Sequence, residues 1–211
     1  MGMYKYLREM WKKPRENNEN YKNFLINLRK EGSTVRVEKP SRLDRARSLG
    51  YKAKEGIIVV RQRVLKGGSK RNRRISGVKH GSMRRKKIVS LSNQVVCERR
   101  ANKLYPNMEV LNSYWIGEDG MHIWYEVIMV DPYNPTVLND DKLNWTLFNE
   151  KRAFQGQTSA GKKSRGLLHK GIGSEKARPS RNAARRRKLG VQNRKGREFV
   201  KVMNEVKRKF R

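Results

Sequence analysis

Residues 156–163 read GQTSAGKK, one residue short of a phosphate-binding loop, G-x-x-x-x-G-K-[ST]. Such a loop aims backbone N–H groups at phosphate, reaches the outer phosphates with its Lys, and ligates Mg²⁺ through a Ser or Thr hydroxyl. Gly156, Gly161 and Lys162 meet the first two needs, but Lys163 stands at the magnesium position and a cation cannot ligate a cation. The preceding NEKRAF is no buried strand, and KSRGLLHKGIG begins no convincing helix. After position 150 the only acidic residues are Glu175, Glu198 and Glu205, which leaves no second metal anchor. A nucleotide site is therefore rejected, and phosphate contact is retained. Glycines permit close backbone approach, while Lys162, Lys163 and Arg165 neutralise charge.

The other reactive residues assemble no catalytic constellation. His80, His122 and His169 are far apart in sequence; His122 lies inside an expected hairpin and reads as structural, while His80 and His169 suit RNA stacking or donation better than metal binding. Cys97 is the single cysteine, read as a small buried helix residue beside Val95 and Val96, and its usage fits a reducing compartment. Glu118-Asp119 and Asp140-Asp141 fall at a turn and a helix start, where carboxylates serve local structure. Neither enzyme activity nor a cofactor or metal is expected.

What remains is phosphate-binding chemistry. KGGSKRNRR (66–74), KHGSMRRKK (79–87), GKKSRGLLHKG (161–171) and ARPSRNAARRRK (177–188) interleave cations with Gly or Ser. They supply candidate contacts at Gly67, Gly68, Lys70, Arg71, Arg73 and Arg74, then Arg84, Arg85 and Lys86. Further contacts are His169, Lys170, Arg178, Arg181, Arg185, Arg186, Arg187 and Lys188. Segments of this kind follow an irregular phosphate surface, unlike the even face of one major-groove helix, which favours folded RNA.

The charge is segregated. The 211 residues carry 52 Lys and Arg against 19 Asp and Glu, a net charge of +33. Residues 1–104 hold +22, residues 105–150 hold −7 and residues 151–211 hold +18. Eight of the seventeen aromatics lie in 105–150, so the centre can pack while the arms cannot bury enough apolar surface to offset their ordering entropy. A polyanion is the expected partner. No run of 18 apolar residues could span a bilayer, and MGMYKYLREMWKKPRE lacks the apolar region of a secretory signal, so neither a membrane nor a small-molecule substrate is expected.

The elements that must position these cations follow from pattern. Helices are expected over 3–12, over 20–31 with Asn20 as cap, from a Ser41/Asp44 capping box to Gly50, over 92–104 with Ser92 as cap, and across 139–149. Strands are expected at 34–38, 56–65, 108–117 and 122–130, the last two joined by EDGM as an antiparallel hairpin. Residues 66–87 read as a basic loop, and 150–175 show no period. A basic helix is expected from Ser180 to Leu189. Phe199, Val202, Met203, Val206 and Phe210 form one stripe of an amphipathic helix at 196–210. The class is α+β: a small, mostly antiparallel sheet flanked by helices, in a core over 1–150 interrupted at 66–87, followed by a basic extension over 151–211. A permanent RNA-embedded protein and a free nucleic-acid-compacting or RNA-chaperone protein both fit this reading.

Several motifs occur in one order: MGMYKYLREMW at the start, RARSLGYKAKEG at 45–56, RVLKGGSKR at 63–71, VLNSYWIGEDG at 110–120, YEVIMVDP at 125–132 and GQTSAGKKSRGL at 156–167. Through them the chain resembles, from residue 1 to about 188, the archaeal and eukaryotic e-type family of large-ribosomal-subunit protein fifteen. The resemblance implies a non-enzymatic structural protein on large-subunit rRNA, with neighbouring ribosomal proteins as further partners and the cytoplasmic ribosome as its place. It implies that the TSAGKKSRGL segment belongs to an RNA-embedded extension, and it adds Arg45, Arg47, Lys52 and Lys54 as RNA contacts.

Overall fold

The computed structural model describes residues 2–70, 86–87 and 91–167. The chain divides into one unit of residues 1–164 and a second of 165–211, and only residues 165–167 of the second are described. In the first unit the order is α1 (Met3–Lys12), α2 (Pro14–Asn17), α3 (Tyr21–Lys30), β1 (Thr34–Val37), α4 (Leu43–Ser48) and β2 (Ile57–Leu65). The two-residue strands β3 (Ser69–Lys70) and β4 (Lys86–Lys87) follow, then α5 (Asn93–Leu104), β5 (Glu109–Glu118) and β6 (His122–Val130). The unit closes with α6 (Pro135–Leu138), a 3-10 turn at Asn144–Phe148, α7 (Arg152–Gln155) and α8 (Ser159–Ser164).

Four strands make an antiparallel sheet in the order β1-β2-β6-β5, so the α+β class with a small antiparallel sheet is as expected. Its two faces are both covered, which explains why β6 is buried without a break from Glu126 to Val130. Trp124, Ile128 and Val130 pack on one face with Trp11, Tyr21, Leu25 and Leu28 from α1 and α3. Val127 and Met129 pack on the other with Cys97, Ala101 and Ala153 from α5 and α7. In β5 the register slips between Val110 and Asn112, so Leu111 is an extra residue. That bulge lets Val110 join the α5 side while Tyr114 joins the α1 side, two residues of the same parity on opposite faces.

The hairpin forms where its strands predict it, and Asp119 closes its turn by accepting the amides of Met121 (2.7 Å) and His122 (2.6 Å). Ser92 caps α5 as expected. Other local expectations give way to tertiary partners. Ser41 and Asp44 form no capping box, because the Ser41 amide and hydroxyl both bond the Glu126 carboxylate, at 3.1 and 2.6 Å. Asn20 stands at the N-cap position of α3 as expected, but its side chain makes no capping bond, and its amide donates to Asn18 Oδ1 at 3.1 Å. In place of one helix over 139–149, α6 ends at Leu138 and the 3-10 turn starts at Asn144. Between them Asp140 takes the Leu143 and Asn144 amides on its carbonyl and the Lys142 amide on its side chain. The ends of the expected 66–87 loop pair as β3 and β4, and two short helices, α7 and α8, lie in the stretch that shows no period. The helices expected at 180–189 and 196–210 lie outside the described residues.

Candidate nucleic-acid interface

Three groups of the expected contacts fall on described residues. The first is carried by α4, where Asp44 and Ala46 are buried and Arg45, Arg47 and Ser48 are exposed. Arg47 stacks on the Tyr4 ring, 5.6 Å from its centroid, and donates to the Tyr4 hydroxyl. Gly50, at φ +101°, ends the helix in a conformation that favours glycine, and the chain turns into the loop holding Lys52 and Lys54. Both lysines converge on Asp140 Oδ2, Lys52 at 2.7 Å and Lys54 at 3.5 Å. The hydrogen bond from Lys52 foremost, with the Lys142 amide and the charge of Lys54, holds the Asp140 carboxyl at about 2. An internal carboxylate thus pairs with two of the four expected cations.

The second group follows β2. Gly67 sits at φ +89°, Gly68 is exposed, and the register sets Lys70 opposite Lys86 across the β3–β4 pair. The third group is the near phosphate loop, and the structure gives its glycines a different task. Thr158 precedes α8 and its hydroxyl accepts the Gly161 amide at 3.1 Å, while the Lys162 amide donates to the Thr158 carbonyl at 2.8 Å. Those amides are spent within the helix and are not offered to a ligand. Gly156, at φ +65°, lies so close that a Cβ on Gly161 would sit 2.6 Å from its Cα. The glycines allow two backbone segments to touch, leaving Lys162 and Lys163 exposed on the last turn of α8. Arg165, also exposed, opens the second unit.

Because α4 packs with α1 on one face of the sheet and α8 with α5 on the other, the first and third groups belong to opposite faces. Arg71, Arg73, Arg74, Arg84, Arg85, His169, Lys170, Arg178, Arg181 and Arg185–Lys188 lie outside the described residues.

Sequence reasoning missed a fourth group. Arg8 and Lys12, one turn apart on α1, flank the buried Trp11 and line a groove of about 700 Å³ together with Arg42 and Arg45. The guanidinium of Arg42 lies 5.0 Å from the Trp11 ring centroid and donates to the Trp115 carbonyl at 3.2 Å. Burial pulls its pKa below the usual arginine range. The one available signal was the i, i+4 spacing of Arg8 and Lys12 around a tryptophan.

Burial pushes the Cys97 thiol far up, and its sulfur faces the Gln62 carbonyl at 3.8 Å. His122 packs on Trp124 and lies 3.9 Å from Asp119. No group of three His, Cys, Asp or Glu side chains is placed to hold a metal, and no helix is long and apolar enough to cross a membrane, among the described residues.

Fold and surface together define a basic α+β protein whose exposed chemistry is cationic. The sequence matches the family described as Ribosomal L15 over residues 2–184. It is 48% identical to the large ribosomal subunit protein eL15 of Methanocorpusculum labreanum over 184 residues, covering 85% of this chain and 94% of that protein. The chain belongs to the ribosomal L15 family.

Proposed function

We propose that the chain is a non-enzymatic structural constituent of the large ribosomal subunit, where it binds and stabilises folded rRNA beside neighbouring ribosomal proteins in the cytoplasm. The observation that carries this reading is the 48% identity to a large-subunit protein across 94% of its length. The charge supports it: a net +33 concentrated outside an aromatic, acidic centre fits a partner with a dense phosphate surface. The contacts are the cations of α4 and its following loop, Gly67 and Gly68 with the 70–74 and 84–86 runs, Lys162, Lys163 and Arg165, and the basic residues from His169 to Lys188 in the extension. With on the order of ten phosphates neutralised, log K falls with log salt at a slope of roughly −7 to −9.

The test is sedimentation of native extract after ribosomes are washed in high salt. Retention at one copy per large subunit upholds the reading. Complete release into the soluble fraction, or spreading over DNA and RNA alike, replaces it with a free nucleic-acid-compacting protein. Substituting Lys162 and Lys163 by Ala weakens RNA binding and leaves no ATP turnover to lose; turnover abolished by that change would restore the nucleotide site.

A further inference from the structure

The groove beside α1 differs from the other cationic surfaces because it is a recess with an aromatic wall. Its rim carries the exposed Arg8, Lys12 and Arg45. Its wall includes Trp115 and Tyr125, cross-strand partners on β5 and β6 and both partly exposed. Arg42 and Asp44 also line it, with Arg42 Nε and Asp44 Oδ1 buried beneath the surface and without a hydrogen-bond partner. Asp44 is 4% exposed, and its other carboxylate oxygen lies 3.9 Å from an Arg42 terminal nitrogen.

The groove opens at the outer edge of the sheet, since β5 is the last strand. An open edge ordinarily invites another strand. Here the edge carbonyls are taken: Ser113 accepts from Gln94 Nε2 at 2.9 Å and Trp115 from Arg42 at 3.2 Å. Those two carbonyls are closed to a further strand, and four cations against one buried carboxylate select an anion. A volume of about 700 Å³ lies inside the range of roughly 300–1,000 Å³ typical of sites for compact organic ligands.

We infer that this groove holds one unpaired nucleotide extruded from folded RNA, with its phosphates on Arg8, Lys12 and Arg45 and its base against the Trp115–Tyr125 wall. The inference rests on the RNA-binding reading above. Paired bases in an A-form helix are out of reach of such a wall, whereas unstacked bases pack on aromatic side chains and are read along their edges. The site thereby adds recognition of single-stranded structure to contacts that otherwise count only phosphates.

The experiment uses the full chain and a single-stranded RNA carrying 5-iodouridine, photocrosslinked and mapped by mass spectrometry. Adducts are expected at Trp115 or Tyr125, suppressed by unlabelled single-stranded RNA and not by duplex RNA. The double variant Arg8→Glu, Arg45→Glu changes only exposed side chains and is expected to lower groove adducts about tenfold while sparing those elsewhere. Adducts confined to other segments and indifferent to that variant would overturn the groove proposal and leave RNA binding intact. Capture of a neighbouring protein's acidic peptide at Trp115 in place of RNA would overturn it as well. Absence of RNA adducts anywhere, with no retention on ribosomes, would overturn the functional reading itself.

Discussion

The hydroxyl of Thr158 donates to the Glu98 carboxylate at 2.6 Å, joining the residue that caps α8 to a fully buried acid on α5. The same hydroxyl oxygen accepts the Gly161 amide, so one side chain both starts the lysine-bearing helix and anchors it to the core. Thr158→Val keeps the shape and removes both bonds. It is expected to destabilise the chain by about 2–3 kcal/mol, as a lost cap plus a lost bond to a buried carboxylate. Hydrogen exchange should rise first in 159–164. A global loss of protection with α8 no worse than the rest would contradict the anchoring role.

Glu98 also accepts from the Ser113 hydroxyl, yet burial raises its pKa above the ordinary 4.5 and outweighs both hydroxyls. A carboxyl whose folded pKa is raised binds its proton more tightly in the native state. Its stabilising contribution is complete below 4.5 and is lost as pH rises through the higher folded value. Glu98→Gln fixes the neutral form and should flatten that decline, as read from unfolding midpoints across the acid range. An unchanged pH profile would place the titration elsewhere.

The bonds from Lys52 and Lys54 to Asp140 work in the opposite direction. The carboxyl is depressed from 3.8 to about 2, so its contribution is present above 3.8 and disappears as pH falls towards 2. On the proposed function, the pair withholds two cations from phosphate. Asp140→Asn is expected to strengthen RNA binding at low salt and to steepen the salt dependence by about 1–2 units of slope. Fluorescence anisotropy over a salt series measures both, and equal slopes would mean that neither lysine reaches RNA.

Glu126 is fully buried and gathers donors from distant segments: the Ser41 amide and hydroxyl, the Tyr114 hydroxyl at 2.6 Å and the Arg61 guanidinium at 3.3 Å. Glu126→Leu strands these donors and is expected to cost about 3–5 kcal/mol, the range for removing one partner of a buried ion pair. Urea unfolding gives the figure. A loss below about 1 kcal/mol would show that Glu31, 2.7 Å from Arg61, satisfies the cation alone.

Much of this protein was legible in order of residues. Alternation and β-branched content determine β2, β5 and β6, because a pleated strand shows its two environments at a period of two and short turns bring neighbours together. Ser92 determines the start of α5, because its cap is three residues away. Segregation of charge by itself points to a polyanion. The tertiary structure decided what depends on residues far apart in the chain. Ser41 abandons its local cap for Glu126, 85 positions on, since a buried carboxylate gains more from the bond than an exposed helix end does. Gly161 serves contact with Gly156 rather than phosphate, and Lys52 is matched to Asp140. The groove combines Arg8, Arg42 and Trp115, whose spacing along the chain carries no period, because the bulged edge of the sheet and the helix lying beside it create the recess only once both are folded.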